Sequence, residues 1–158
     1  MLKEYMLSLG YTEEDVEAFK TNYSLESTTE ETLIKKIKII YSFFITYGYT
    51  CDEINKMTTK YPSIYSYSLE NIKNKINSLE ELGFSEEQLK RIIKKNPQLL
   101  GLSLENINNK INNIVSLGFD KKNIFKMISQ YPAILNYTKE TFEKKLNNVH
   151  LNSIVIFK

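Results

Sequence analysis

The residues that most often interrupt secondary structure stand at regular intervals along this 158-residue chain. The three prolines, Pro62, Pro97 and Pro132, are each separated by 35 residues. Four of the five glycines lie at intervals of 38, 35 and 35 residues, namely Gly10, Gly48, Gly83 and Gly118. Because a fixed period of this length is the signature of a repeat architecture, the chain is predicted to be an array of similar units.

Each unit is predicted to begin with a helix, here called helix A, shortly after its glycine. Capping boxes are expected at Thr50–Glu53 and Ser85–Gln88. Proline disfavours helical geometry in the preceding residue, so helix A is expected to end near Tyr61, Asn96 and Tyr131. Its apolar face, at helical spacing, consists of Val16, Phe19, Ile54, Met57, Leu89, Ile92, Ile93, Ile124, Met127 and Ile128.

A second helix, helix B, is predicted to complete each unit. Its capping residues are Thr29, Ser68, Ser103 and Thr138. Its buried face is predicted to contain Ile72, Ile76, Leu79 and Leu82, and one repeat later Ile107, Ile111, Ile114 and Leu117. The next glycine is expected to end the helix in the left-handed conformation.

These boundaries divide the chain into about four predicted repeats within one domain. The repeats cover residues 10–47, 48–82, 83–117 and 118–152, with an N-terminal cap helix at 1–9 and an apolar tail at 153–158. The first repeat is irregular, because Ser24 stands where the proline belongs and three extra residues precede helix B. A single helix pair buries too little apolar surface, so the pairs must stack, which predicts an all-α solenoid.

The composition argues against catalysis. One cysteine and one histidine exclude a disulfide framework and a multi-cysteine zinc site, and no glycine-rich phosphate loop is present. We therefore expect no cofactor, no metal, no small-molecule substrate and no enzymatic activity. No apolar run approaches the roughly 18 residues of a membrane span, and the start has neither a secretory nor an organellar pattern. A cytoplasmic protein is the expectation.

The most regular part of the repeat resembles a known family. The segment 82–89 (Leu-Gly-Phe-Ser-Glu-Glu-Gln-Leu) leads to 97–100 (Pro-Gln-Leu-Leu), and helix B opens at 103–107 with Ser-Leu-Glu-Asn-Ile. This combination is similar to the motif of the mitochondrial transcription termination factor (mTERF) family, closely over residues 48–148 and loosely over 10–47. The resemblance implies a right-handed superhelix of two-helix repeats, each with a short 3₁₀ segment, and a basic groove that holds nucleic acid.

Basic residues are concentrated in the more regular half of the chain. Residues 1–70 contain 7 lysines against 11 acidic residues, a net charge of −4, whereas residues 71–158 contain 14 basic against 8 acidic residues, a net charge of +6. Candidate phosphate contacts are a helix-B row, Lys75, Lys110 and Lys145, and the helix-A residues Lys90, Arg91, Lys94, Lys95 and Lys126. Ordinary solvated helix faces in a lysine-rich sequence are the competing interpretation.

The sequence leaves two functions open. The first is non-enzymatic binding of DNA or RNA; the resemblance implies roles in transcription or in RNA- and ribosome-related steps. Tyr65, Tyr67 and Tyr137, which lie in the connections, are candidates for stacking on unpaired bases. The second is a scaffold that binds a protein or peptide on its concave face, which the small total charge of +2 favours.

Overall fold

A computed structural model of the chain describes residues 1–146. Within that range the regular structure consists of helices alone, which confirms the all-α class. The elements are α1 (Leu2–Ser8), α2 (Glu13–Asn22), α3 (Glu30–Tyr47), α4 (Cys51–Lys60), η1 (Pro62–Ser66), α5 (Leu69–Leu82), α6 (Glu86–Lys95), η2 (Pro97–Gly101), α7 (Leu104–Val115), α8 (Lys121–Gln130), η3 (Pro132–Asn136) and α9 (Lys139–Leu146), where η denotes a 3₁₀ helix. The predicted tail and the end of the fourth repeat lie outside the described residues.

A helix, a 3₁₀ helix and a second helix follow one another three times. Each proline is the first residue of a 3₁₀ helix, where its fixed φ and missing N–H are tolerated. The residues before the prolines, Tyr61, Asn96 and Tyr131, have left helical geometry, as predicted. The irregular first pair, α2 and α3, is joined instead by a connection with a turn at residues 26–27.

Side-chain caps fix the start of helix A in three helix pairs, at α2, α4 and α6. Both predicted capping boxes are present: Thr50 and Glu53 exchange hydrogen bonds of 3.0 and 3.2 Å, and Ser85 and Gln88 exchange bonds of 2.9 and 3.1 Å. A third box, between Thr12 and Asp15, was not predicted. Its N3 residue is an aspartate, which lies outside the usual Glu or Gln pattern.

The chain divides into two compact units, Met1–Asn74 and Lys75–Lys158, and the division falls within α5. In the first unit α1 packs against α2 and α3, α4 packs against the same two helices, and η1 packs against α3 and α4. In the second unit α6 packs against α8, and α7 packs against α8 and α9. The number of repeats and the right-handed superhelix stay predictions.

The core of the first unit contains hydrogen-bonded hydroxyl groups. The Tyr11 hydroxyl lies 2.6 Å from Thr58 Oγ1 and 2.9 Å from the Tyr65 hydroxyl. Burial raises the pKa of Tyr11 to about 12, although both hydrogen bonds act in the opposite direction. Tyr65 has no exposed surface, so its prediction as a base-stacking residue is wrong. It points into the core because η1 packs against α3 and α4.

A second polar group lies nearby in the same unit. The Tyr41 hydroxyl donates to Asn55 Oδ1 at 2.9 Å, and Asn55 Nδ2 donates to the Leu9 carbonyl at 3.1 Å. Tyr41 and Asn55 are both buried. Their mutual hydrogen bonds offset the cost of removing these polar groups from water.

The second unit has a core of aliphatic and aromatic side chains. The Phe84 and Phe125 rings meet edge to face, with centroids 4.6 Å apart. The Phe125 ring also lies against Gly83, so closely that a Cβ atom at that glycine would be 2.5 Å from the ring. Gly83 has φ +135°, so both its backbone conformation and its packing require glycine.

Two details of helix B differ from the sequence prediction. Helix α7 ends at Val115, three residues before Gly118, because Ser116 already acts as its C-cap. Leu82 and Leu117 are half-buried and not part of the fully buried core. Both follow the last fully buried residue of their helix. Leu82 lines a space between α5 and α7, and Leu117 lines a space between α7 and α9.

Candidate nucleic-acid interface

The helix-B row of lysines is engaged with the protein itself. Lys75 Nζ donates to the Leu102 carbonyl, and Lys110 Nζ donates to the Tyr137 carbonyl at 3.3 Å. Both carbonyls belong to the residue that follows a 3₁₀ helix. Each lysine therefore joins a second helix to the connection of the next pair. Burial lowers the pKa of Lys75 because desolvation disfavours the charged form.

The third lysine of the row contacts an aromatic ring. Lys145 Nζ lies 4.9 Å from the centroid of the Tyr137 ring, within the range of a cation–π interaction. Tyr137 is therefore already covered on one side. Tyr67, another stacking candidate, has its hydroxyl 2.8 Å from that of Tyr61. An ammonium group has three donors, so these lysines retain the capacity to contact a phosphate as well.

The predicted basic residues of helix A lie along α6. Lys90 Nζ is 3.4 Å from a Glu86 carboxylate oxygen, and an Arg91 nitrogen is 3.9 Å from Glu87. Such exposed i,i+4 pairs contribute little to stability, but they reduce the local positive charge. The other two basic residues, Lys94 and Lys95, are exposed in the last turn, where the helix dipole favours cations.

Helix α8 carries a stronger charge imbalance than α6. Lys126 is exposed on it, together with Lys121 and Lys122, and no acidic residue occurs from 121 to 130. Lys121 and Lys122 were not among the contacts predicted from the sequence. The sequence does contain a signal for them: one repeat of 35 residues earlier, the equivalent positions hold the acidic Glu86 and Glu87, so the charge changes sign between α6 and α8.

The packing of α6 against α8 brings these residues onto neighbouring helices. Arg91 and Lys126 are 35 residues apart, so they occupy equivalent positions on the two helices. We call the six exposed residues Arg91, Lys94, Lys95, Lys121, Lys122 and Lys126 the basic surface. The Lys75 row lies on second helices and does not belong to it.

Two other kinds of site do not occur in the described part of the chain. Residues 1–146 contain no group of three or more histidine, cysteine, aspartate or glutamate residues placed to hold a metal ion. None of the helices in that range combines the length and hydropathy needed to span a bilayer.

The recurrent helix–3₁₀–helix order and the basic surface define the class of this molecule as a helical-repeat protein. A family model described as mTERF matches residues 2–152, which is nearly the whole chain. The chain therefore belongs to the mTERF family, and the resemblance noted in its sequence is confirmed. No match was found among curated proteins.

Proposed function

We propose that this protein binds nucleic acid without catalysing a reaction, and that the basic surface contacts the phosphate backbone of DNA or RNA. Family membership supports a nucleic-acid-binding helical-repeat protein. Regulation of transcription, or a step that involves RNA or the ribosome, is the process that we infer for it. Both the polymer and the process are part of this proposal.

One observation carries the proposal. Helix α8 presents Lys121, Lys122 and Lys126 with no acidic residue along its length, and it packs against α6, which carries Arg91. A polyanion that binds such a surface releases condensed counterions, which supplies a favourable and salt-dependent free energy. Helices α3 and α4 resemble α6 instead, because acidic residues share the helix with the lysines: Glu31 pairs with Lys35, and Asp52 pairs with Lys56.

The side chains of the basic surface favour backbone contacts over base contacts. The only aromatic residue of α6 and α8 is Phe125, which is buried. These two helices therefore offer no platform on which an unpaired base could stack. Lysine and arginine that reach phosphates position a nucleic acid but carry no sequence information. We expect binding with little sequence preference.

The direct test is fluorescence anisotropy with labelled duplex DNA, single-stranded DNA and RNA at several salt concentrations. The triple variant Lys121→Gln, Lys122→Gln, Lys126→Gln should bind more weakly. The slope of log K against log salt should decrease in magnitude by about 1 for each lost phosphate contact. The matched control is Lys35→Gln, Lys36→Gln, Lys38→Gln on α3, which removes the same charge from the first unit.

Two results would overturn this proposal. Absence of binding to all three polymers at low salt would reject the function. An equal loss in both triple variants would show that net charge alone matters, and would reject the assignment to α8.

The helix-B row gives a second comparison. If Lys75 and Lys110 chiefly join helices, replacement of both by methionine should lower the melting temperature and leave the salt slope unchanged. If they chiefly contact phosphates, the slope should decrease by about 2, one for each lysine. Their hydrogen bonds to Leu102 and Tyr137 favour the first outcome.

A further inference from the structure

In the second unit a groove separates α5 from α7, which are the second helices of two consecutive helix pairs. It has a volume of about 380 Å³ and lies between the C-terminal half of α5 and the N-terminal half of α7. Its lining residues are Ser78, Glu81, Leu82, Leu104, Glu105 and Asn108. The hydrogen bond from Lys75 to the Leu102 carbonyl joins the two walls beside the groove.

A smaller space lies between α7 and α9, one repeat later. It has a volume of about 10 Å³, which is about the room of one water molecule. Tyr137 and Phe142 line that space, whereas the equivalent residues 35 positions earlier are the smaller Leu102 and Ile107.

Apolar surface is exposed in the groove. Leu104, the first residue of α7, is 39% exposed, and it is the only exposed leucine among residues 1–146. The equivalent residue in the next repeat is the exposed Lys139. Leu82 is half-exposed on the opposite wall. Covering both leucines with an apolar partner would release water and favour association.

The groove is acidic although it lies in the basic half of the chain. Glu81 and Glu105 contribute one carboxylate from each wall, and both residues are exposed. Neither forms an ion pair with any residue from 1 to 146, whereas Glu86 and Glu87 on α6 are both paired. Two carboxylates beside two leucines repel a phosphate backbone and attract a cationic, partly apolar ligand.

We propose that this groove binds a short segment of a protein partner in which an apolar side chain is flanked by lysine or arginine. The apolar side chain packs against Leu82 and Leu104, and the basic side chains pair with Glu81 and Glu105. This amphipathic pattern is a common mode of peptide recognition. The groove shares no residue with the basic surface, so the inference is independent of nucleic-acid binding.

The test uses the full chain and three labelled helical peptides that share a leucine face and differ in their flanking residues, which are lysine, glutamine or glutamate. The lysine peptide should bind most tightly and the glutamate peptide least. Glu105→Lys should weaken binding of the lysine peptide by about tenfold. The matched control is Glu140→Lys, which makes the same change at the same position of α9 and should change affinity less than about twofold.

A second variant tests the apolar contact without a change of charge. Leu104→Gln should weaken the lysine peptide by about tenfold and leave the affinity for duplex DNA unchanged. The proposal is overturned if no peptide binds, if lysine and glutamate peptides bind equally, or if Glu105→Lys and Glu140→Lys have the same effect. Because DNA affinity is measured separately, failure of this proposal is distinguishable from failure of nucleic-acid binding.

Discussion

The two compact units use the same order of helices but fill their interiors with different chemistry. In the first unit a phenol, a hydroxyl or an amide stands where the second has a hydrocarbon side chain at the same place in the repeat. The equivalent pairs one repeat apart are Thr58 and Ile93, Tyr65 and Leu100, and Tyr41 and Ile76; two repeats after Asn55 stands the buried Phe125, with Lys90 between them in α6. The polar members are hydrogen-bonded to one another or to the backbone.

One position shows the opposite exchange. Eight residues before the closing glycine, α3 has the buried Ile40, whereas α5 and α7 have Lys75 and Lys110. The two lysines donate to backbone carbonyls of the next connection. The comparison teaches that the repeat specifies backbone geometry but neither the chemistry nor the volume of each side chain. Polar groups are accepted at these positions when their hydrogen bonds are satisfied.

The largest difference between the units is expected for truncation at the position shared by Phe125 and Asn55. Phe125→Ala should lower the free energy of unfolding by about 3–5 kcal/mol, because it leaves a cavity beside Phe84 and Gly83. Asn55→Ala should cost about 1–3 kcal/mol, through the lost partner of Tyr41. Urea unfolding followed by circular dichroism measures both. A larger cost for Asn55→Ala would contradict the comparison.

The glycines that follow α5 and α7, Gly83 and Gly118, both lie in the second unit but should differ in the cost of substitution. Gly83→Ala should cost about 3 kcal/mol, because positive φ is unfavourable for alanine and the Phe125 ring must move. Gly118→Ala should cost about 1–2 kcal/mol, which is the cost of placing alanine at a φ of +95°. Thermal unfolding of both variants gives the comparison. Equal costs would show that the contact with Phe125 does not matter.

Alkaline pH should destabilise the first unit selectively. The pKa of Tyr11 is raised from 10.0 to about 12 by burial. Below pH 10 this contribution is fully present, and it is lost as the pH rises from 10 to 12, because the unfolded chain releases the proton first. The loss amounts to about 2.7 kcal/mol for the 2-unit shift. Unfolding free energies at several alkaline pH values, with tyrosinate absorbance, provide the measurement.

A flat stability between those pH values would contradict the assignment of Tyr11 to the core. The control is the variant Tyr11→Phe, which should show a smaller loss of stability over the same pH range.

The hydroxyl pair of Tyr11 and Tyr65 should show energetic coupling. Tyr11→Phe should cost about 1–2 kcal/mol, because it removes the buried hydrogen bond between the Tyr11 and Tyr65 hydroxyls. Adding Tyr65→Phe should cost less than the sum of the two single variants, since both polar groups are then removed. Strict additivity in this double-mutant cycle would show that the hydrogen bond contributes nothing.

The smallest expected effect concerns the lysine of the second unit. Lys75→Met should cost about 1 kcal/mol, because the Leu102 carbonyl loses its donor. Lys144→Met, at an exposed position of α9, should change stability by less than about 0.5 kcal/mol. Chemical denaturation measures both variants. Equal effects would place Lys75 among ordinary surface lysines.

Much of the fold could be predicted because its signals act within a single turn. The Thr50–Glu53 box and the end of α4 before Tyr61 follow from residues that are neighbours in sequence. The candidate site could be predicted only in part. The period indicates that Arg91 and Lys126 are equivalent, but the targets of Lys75 and Lys110 lie 27 residues away. Contacts between residues so far apart in the sequence depend on how successive helix pairs pack.

The sequence by itself determined the capping boxes and the helix ends before the prolines, the family, and which half of the chain is basic. Those properties depend on local backbone preferences, on the spacing of the repeated residues and on the number of charged residues in each half. Only the tertiary structure decided that Tyr65 lies in the core, that Lys75 joins two helices, and that Leu82 and Leu104 face an open groove. The reason is that burial and pairing depend on contacts between different repeats, and sequence spacing alone does not set the volume left between two packed helices.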